Sequence, residues 1–294
     1  MKKLPIKWSG SKGPLATEII THFPINTTGG TFYEIFCGGC AITLELLSGK
    51  YPDKIGYGEF ICVDNNSDLI NLWEHIKNSP TLLAGGYETL WKNFNEPISG
   101  LSIEGHRKKY FTYIRNIFNS KEENDSYNAI YFLFLLRTAF SGLVRYNSDS
   151  IYNSSCHFTR PGIDPNKMWD ILDNTHKTIR DYDITFLCKD YRDIHVNERD
   201  FVFMDPPYSS VGNGVGKKSM YHGGINTHEL IDFCNGLKCG YIMTFDGDRG
   251  DDKANKICLN NTNIVNLTSK NSSYSRLNGK QVGVEEIIYL KNQK

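Results

Sequence analysis

The sequence predicts an α/β chain, with one open sheet of mostly parallel strands that a mostly helical insert interrupts. Three observations predict it. Between residues 31 and 77, short apolar runs of strand character each lead through turn residues into a helical pattern. From about residue 80 to 184 the apolar residues recur at helical spacing instead. After residue 184 the strand-like runs return. Strands alternating with helices place successive strands side by side and parallel, because each helix carries the chain back across the sheet.

The elements follow in order. Thr31 to Phe36 reads as a strand, Cys37-Gly38-Gly39-Cys40 as a turn, and Ala41 to Leu47 as a helix. A second strand, Glu59 to Val63, ends at Asp64, and Asn66-Ser67-Asp68 can cap a helix over Leu69 to Lys77. Within the insert, Tyr110, Tyr113, Ile114, Ile117 and Phe118 keep a helical period, and Asn128 to Phe140 is an apolar helix. The stretch Ser141 to Pro165 is rich in Gly, Asn, Asp and Pro and holds a hairpin or an irregular loop. Ile184 to Cys188, Phe201 to Met204, Gly240 to Phe245 and Glu285 to Leu290 are read as the later strands.

Composition sets bounds on function. With 294 residues, the chain can bury one large core or a core with an inserted lobe. A formal net charge of zero means that any basic surface for nucleic acid must be local. No apolar run is long enough to span a bilayer and no secretory signal opens the chain, so a cytoplasmic protein without a membrane partner is expected. The eight cysteines then read as thiols rather than disulfides. Cys37-x-x-Cys40 lacks the second ligand pair that structural zinc requires, which favours a tight turn.

The sharpest chemical signal is Asp205-Pro206-Pro207-Tyr208, directly after an apolar strand. Ligands of open parallel sheets bind beyond the carboxyl ends of the strands, where this motif falls. The prolines stiffen the turn and present carbonyl oxygens. A carboxylate and a backbone carbonyl can accept both protons of an exocyclic amine and so aim the nitrogen lone pair at an electrophilic methyl. Tyr208 adds a face on which an extruded base can stack. A second signal, Phe36-Cys37-Gly38-Gly39-Cys40, lets backbone approach a ligand at a helix start. Asp64, at the end of the next strand, suits ribose hydroxyls, or is a plain turn residue. In Lys7-Trp8-Ser9-Gly10-Ser11-Lys12, Trp8 can cover an apolar ligand and Lys12 can pair with a carboxylate; alone, the segment also reads as a polar arm.

Together these segments resemble the Dam-type (alpha-group) DNA adenine-N6 methyltransferases. The family's K-W-x-G-x-K is matched at Lys7 to Lys12, its F-x-G-x-G loop at Phe36 and Gly38, and its catalytic motif at Asp205 to Tyr208. Cys40 stands where a second glycine is usual. Arg137, Phe140, Gly142, Arg145 and Asn147 match the R-x-x-F-x-G-x-x-R-x-N segment leading into the recognition hairpin, whereas Tyr152 to Phe158 depart from the F-N-x-P-F pattern. The resemblance implies a Rossmann-like S-adenosylmethionine-dependent methyltransferase sheet with a helical target-recognition insert containing a hairpin. It divides the chain into residues 1–79 (cofactor part), 80–183 (recognition insert) and 184–294 (catalytic-motif part).

What the resemblance implies for function is methyl transfer from S-adenosylmethionine to the N6 amino group of a flipped-out adenine in double-stranded DNA, leaving S-adenosylhomocysteine and needing no metal. Asp205, Pro206, Pro207 and Tyr208 are the expected catalytic residues. Trp8, Lys12, Phe36, Gly38, Asp64, Asp205 and Asp190 are the expected cofactor contacts, Asp190 being equally readable as a cap. Lys7, Arg137, Arg145, Arg160, Lys217 and Lys218 are the expected DNA contacts, with Lys167 a further recognition-lobe candidate. The stretch 253–284, with five basic residues and no acid, can meet phosphates or be a solvated loop. A prokaryotic or phage-encoded monomer is expected, with a separately acting restriction endonuclease as a possible partner. Cytosine-C5 chemistry is disfavoured because no Pro-Cys pair supplies its nucleophile. The competing expectations are an RNA or protein methyltransferase with a related loop and a DNA-binding regulator without turnover.

Overall fold

The computed structural model describes residues 3–8, 10–25, 27–122, 125–142, 144–207, 225–249, 257–269, 276–277, 280–281 and 284–291. The early strands are β1 (Thr31–Ile35), β2 (Glu59–Asp64), β3 (Ile184–Cys188) and β4 (Phe201–Met204). After them come β5 (Gly240–Arg249), β6 (Asn263–Ser269), the two-residue β7 (Arg276–Leu277) and β8 (Lys280–Gln281), and β9 (Val284–Lys291). Seven strands form one sheet in the order β3-β2-β1-β4-β5-β9-β6, and β7 pairs with β8 separately. The first five are parallel; β9 runs antiparallel to both β5 and β6. The chain winds outward one way through β2 and β3 and the other way through β4 and β5. A crevice therefore opens at the carboxyl ends of β1 and β4.

The central strands are mostly apolar because both faces of the sheet are covered, with Glu34 on β1 and Thr244 on β5 as buried polar exceptions. Side chains alternate across it. Phe32, Phe60, Phe201, Phe203 and Ile242 face one core, and Tyr33, Ile61, Val202, Met204 and Tyr241 face the other. The first core is a continuous aromatic layer in which Phe23 meets Phe32 at 5.7 Å and Phe201 at 5.0 Å between ring centroids. Stripping one of these rings creates a cavity under the strands that carry the site.

The helices before the insert are α1 (Ala16–Thr21), α2 (Ala41–Leu46) and α3 (Ser67–Asn78). Asn66 caps α3 through its Oδ1, which accepts the Leu69 N–H at 3.0 Å, as its position in the sequence predicts. Between α3 and β3 stand α4 (Pro80–Asn95), α5 (Ile103–Ser120), α6 (Asp125–Thr138) and α7 (Pro165–Ile179). α6 is apolar on every side because α3, α4 and α5 surround it. These helices share one core with the sheet: Leu83, Phe94, Phe118 and Leu133 belong to the same buried cluster as Phe32 and Phe60.

The structure revises several sequence expectations. α6 begins earlier than Asn128 and stops at Thr138, before Phe140. It stops there because Thr138 O accepts the His157 N–H and the Phe140 N–H turns to Ser155 O. Of the two alternatives for 141–165, the described residues form a loop, tied by the isolated antiparallel bridges Ala139 to Cys156 and Tyr146 to Tyr152. α7 starts at Pro165 with Asp164 as its cap, so the last polar residues of that stretch mark a helix start. α8 (Thr227–Gly236) lies on the second face, with Leu230 and Cys234 in that core. Asn263–Ser269, inside the basic stretch, is the edge strand β6 rather than loop. Lys253, Lys256 and Lys270 lie outside the described residues, as do Tyr208, Lys217 and Lys218.

Candidate active site at the switch point

Strand register assembles the site. Ile35 pairs with Met204, Ile35 with Val63, and Asp64 with Cys188, so Phe36, Asp64 and Asp205 emerge from adjacent strand ends. The Asp205 N–H reaches Ile35 O at 3.4 Å, which extends the β1–β4 pairing into the Asp-Pro-Pro turn. Lys12 is 4% exposed, and its Nζ lies 2.8 Å from Asp205 Oδ1. Thr244 Oγ1 donates to the same oxygen at 2.8 Å. Two donors converging on one oxygen hold the carboxylate in a single rotation. The sequence places Lys12 at the cofactor, whereas here its ammonium pairs with the protein's own Asp205, and Thr244 carries no sequence signal. Thr244 follows Met243, which pairs with Met204, and only the strand order puts it beside Asp205.

The loop after β1 bends through three left-handed residues, Phe36 (φ 62°), Gly38 (φ 47°) and Cys40 (φ 46°). Cys40 thus adopts the backbone that a glycine would take without strain. Gly38 is fixed from several directions. Its N–H donates to Asp64 Oδ2 at 3.1 Å, and its carbonyl accepts the buried Trp73 indole N–H at 2.9 Å. A Cβ at Gly38 would lie 2.6 Å from Trp8 Cδ1, so the tryptophan packs where only glycine leaves room. Asp64 Oδ1 accepts the Asn66 N–H at 3.0 Å. Burial pushes the Asp64 carboxyl up to about 6, against the lowering effect of the surrounding backbone N–H donors. Phe36 and Tyr191 meet at 5.2 Å between centroids and form an aromatic wall beside the loop.

Beneath the loop lies a buried polar group that the sequence reading did not single out. Glu34 points from β1 at the start of α2 and accepts the Thr43 N–H at 2.8 Å, the Ile42 N–H at 3.4 Å and the Thr43 hydroxyl. Its oxygens therefore cap α2 and tie that helix to β1. Glu34, Cys40 and Cys62 have donor atoms within 4.8 Å of one another. Burial raises the Cys37 and Cys40 thiols. The Glu34 carboxyl is engaged by Thr43 and Ile42, and Cys37 and Cys40 are both buried in the core.

Burial also raises Glu34 to about 7 from 4.5. A carboxyl with a raised folded pKa keeps its proton in the native state after the unfolded chain has lost its own. Stability therefore falls as pH rises from about 4.5 to about 7 and levels off above that. This one group accounts for ~3 kcal/mol over that window. Thermal melts from pH 4.5 to 8 should show a steeper decline in the wild type than in Glu34→Gln. Parallel profiles would show that Glu34 does not titrate in this range.

Asp190 takes the capping role that the sequence also allows. It caps the turn after β3 through the Arg192 N–H, and both its oxygens pair with the Arg192 guanidinium at 2.8 and 2.9 Å. That pairing holds its carboxyl below the usual range. The capping alternative is what these bonds describe.

The expected DNA contacts also divide. Arg137 turns inward: its guanidinium donates to Leu4 O at 2.5 Å and to Pro5 O, fastening the N-terminal arm to α6. Its Nη2 is thereby engaged on backbone. Lys7 lies across Gly142, where a Cβ would meet its Cδ at 2.5 Å. Partial burial and the nearby Arg137 and Arg160 guanidinium groups lower the Lys7 pKa. Arg145 is exposed and braced by Asn153, with Nε to Oδ1 at 2.7 Å and Nη2 to the carbonyl at 3.1 Å. Arg160 and Lys167 are exposed. Beside them Phe140, 55% exposed, stacks on His157 at 5.2 Å and 27°. No periodicity marked Phe140 as a surface residue, because it follows an apolar helix.

Trp8, Lys12, Gly38, Asp64 and Asp205 thus surround one crevice, and the donor set suits a ligand carrying a ribose diol, a carboxylate and an aromatic base. Among the described residues, no helix is long and apolar enough to cross a membrane. Comparison with known proteins gives the same picture. The chain is 28% identical over 211 residues to the retron Ec67 DNA adenine methylase of Escherichia coli, covering 71% of this chain and 65% of that protein. It is 26% identical over 298 residues to the type II methyltransferase M.MjaIII of Methanocaldococcus jannaschii, covering 98% and 93%. With the DNA adenine methylase of Serratia marcescens it shares 27% over 230 residues, covering 77% and 73%. The profile of the D12 class N6 adenine-specific DNA methyltransferases matches residues 8–276, which take in the Trp8 contact, the glycine loop and the Asp-Pro-Pro turn, and the chain belongs to that family.

Proposed function

We propose that the chain methylates the N6 amino group of an adenine extruded from double-stranded DNA, with Asp205 and the Pro206 carbonyl accepting the two amino protons. The observation that carries this reading is the Asp205 carboxylate, held by Lys12 and Thr244 at the carboxyl end of β4. S-adenosylmethionine supplies a methyl made electrophilic by its sulfonium. Trp8, Lys12, Phe36, Gly38 and Asp64 hold it, and no metal is required, since alignment and local charge do the work. Asp205 and the Pro206 carbonyl direct the nitrogen lone pair and stabilise the positive charge that grows on nitrogen. Pro207 stiffens the turn and Tyr208 stacks on the base.

Duplex DNA lies across the face formed by Lys7, Arg145, Arg160 and the exposed ring of Phe140. Lys7 and Arg160 form a cationic cluster suited to phosphate, and the exposed Phe140 ring stacked on His157 suits a base step opened by extrusion. Lys217 and Lys218 follow the catalytic motif and add phosphate contacts. The chain works as a cytoplasmic monomer, and its likeness to a type II methyltransferase supports a separately acting cognate endonuclease.

The test is transfer of labelled methyl from S-adenosylmethionine to unmethylated DNA, followed by digestion and mass spectrometry of the nucleosides. N6-methyladenine at one repeated sequence is expected. Label appearing only in RNA or protein, or cofactor bound with none transferred, refutes the proposal. On the same DNA, Arg160→Ala should lower the slope of log affinity against log salt by about 1, one phosphate contact's worth. An unchanged slope removes Arg160 from the interface.

A further inference from the structure

The loop that carries the exposed basic residues has an extended outgoing limb, Tyr152 to Phe158, with two unlike neighbours. On one side it meets backbone. The Asn153 N–H donates to Arg145 O at 2.8 Å, Ser155 O accepts the Phe140 N–H at 2.7 Å, and the His157 N–H donates to Thr138 O at 2.8 Å. The other side faces helix α5. There, side chains take the place of a neighbouring strand. Asn119 pairs with both polar groups of Tyr152, Nδ2 donating to the carbonyl at 2.9 Å and Oδ1 accepting the N–H at 3.0 Å. Arg115 Nη1 donates to Ser154 O at 3.2 Å, and Arg107 Nη1 to Phe158 O at 3.3 Å. The Cys156 thiol lies 3.9 Å from Arg107 O.

Two periodicities make this contact possible. Residues 152, 154, 156 and 158 present the same edge of an extended chain, which advances ~6.6 Å per two residues. Residues 119, 115 and 107 lie along one face of the helix, which advances ~6 Å per four residues. The step from 119 to 115 thus matches that from 152 to 154, and 115 to 107 matches 154 to 158, with the chains running in opposite directions. Arg107 is itself clamped, its Nε and Nη2 on Asn95 Oδ1 at 3.1 and 2.6 Å. Asn95 Nδ2 also reaches Pro161 O at 3.1 Å, just beyond the limb.

We propose that Arg107, Arg115 and Asn119 are positioning residues for DNA discrimination: they fix the height and tilt of the 144–160 loop, and with it Arg145, His157 and Arg160, against the duplex. This rests on the proposed DNA methyltransferase function. The loop is closed on itself around Arg145 to Asn153, where the Asn147 N–H meets Ile151 O at 2.9 Å and the Asn153 N–H meets Arg145 O at 2.8 Å, and α5 braces the free edge of its outgoing limb. Among the described residues, their hydrogen bonds go to this limb and to Asn95, so their loss should fall on DNA recognition and spare cofactor use.

The experiment compares wild type, Arg115→Met, Arg115→Lys, Asn119→Ala and Asn119→Asp. The DNA probes are a duplex carrying the motif that the wild type methylates in plasmid DNA and duplexes with one base pair of that motif changed. Arg115→Met and Asn119→Ala should raise the KM for DNA about tenfold and narrow the preference for the motif about tenfold. Their KM for S-adenosylmethionine should stay within about twofold. Arg115→Lys, which still donates to Ser154 O, should recover most of the preference; Asn119→Asp, which loses the donor to Tyr152 O, should not. If the Asn119 variants fail to fold, the Arg115 pair decides alone, because Arg115 is half-exposed on α5. Unchanged preference in folded Arg115→Met, or loss of preference and of cofactor affinity in proportion, overturns the proposal. Failure of the wild type to methylate DNA would instead overturn the function on which it rests.

Discussion

Asp205→Asn should lower kcat for methyl transfer about a thousandfold while the protein stays folded. The amide keeps the shape of the carboxylate but not its charge. Lys12, 4% exposed with its ammonium 2.8 Å from Asp205 Oδ1, would be left beside a neutral group. Thr244 would still donate to the side-chain oxygen, so the substituted amide would turn its NH2 toward the substrate amine, a donor facing a donor. The loss should fall on kcat, because the interaction grows as charge develops on nitrogen. Single-turnover rates with preformed protein–DNA complexes measure this directly. A rate within tenfold of wild type would remove Asp205 from the chemistry. Lys12→Met should be milder, since Thr244 continues to hold the carboxylate, and the difference between the two variants separates orientation from charge.

Trp73→Ala should destabilise the protein by about 3–5 kcal/mol and lower Tm by ~10 °C. Trp73 is fully buried, stacks on Phe186 at 5.4 Å and 11°, and donates to Gly38 O at 2.9 Å. The residue therefore joins the packing of α3 on β3 to the shape of the glycine loop. Trp73→Phe should separate the two contributions. The ring persists and stability falls by only ~1 kcal/mol, but Gly38 O loses its donor. The expected signature is a raised KM for S-adenosylmethionine with an almost unchanged melt. A Trp73→Phe variant with wild-type cofactor affinity would show that the loop holds its shape through Asp64 and Trp8 alone.

The catalytic and cofactor segments were legible in the sequence because each is local. A strand, a turn of glycines or prolines and a polar residue fall within a few positions, and strand ends are where a parallel sheet opens. Asp205, Lys12, Gly38, Asp64 and Trp8 all meet at one crevice. For Asp190 and Arg137 the local pattern left the partners open, and tertiary neighbours supply them. Arg192 occupies the Asp190 carboxylate, and the carbonyls of residues 4 and 5 draw Arg137 inward.

The sequence by itself determined the chemistry and the class of fold. Apolar strands buried on both faces, punctuated by turns that carry Gly38 and Asp205, leave few other arrangements. Tertiary structure decided what depends on which strands become neighbours. Thr244 stands beside Asp205 only because β5 pairs with β4 in the sheet, and Glu34 caps α2 only because the chain folds back over β1. Asn119 reads Tyr152 only because a helix and an extended limb advance by nearly equal steps. Such contacts join residues far apart in the chain, and no local spacing records them.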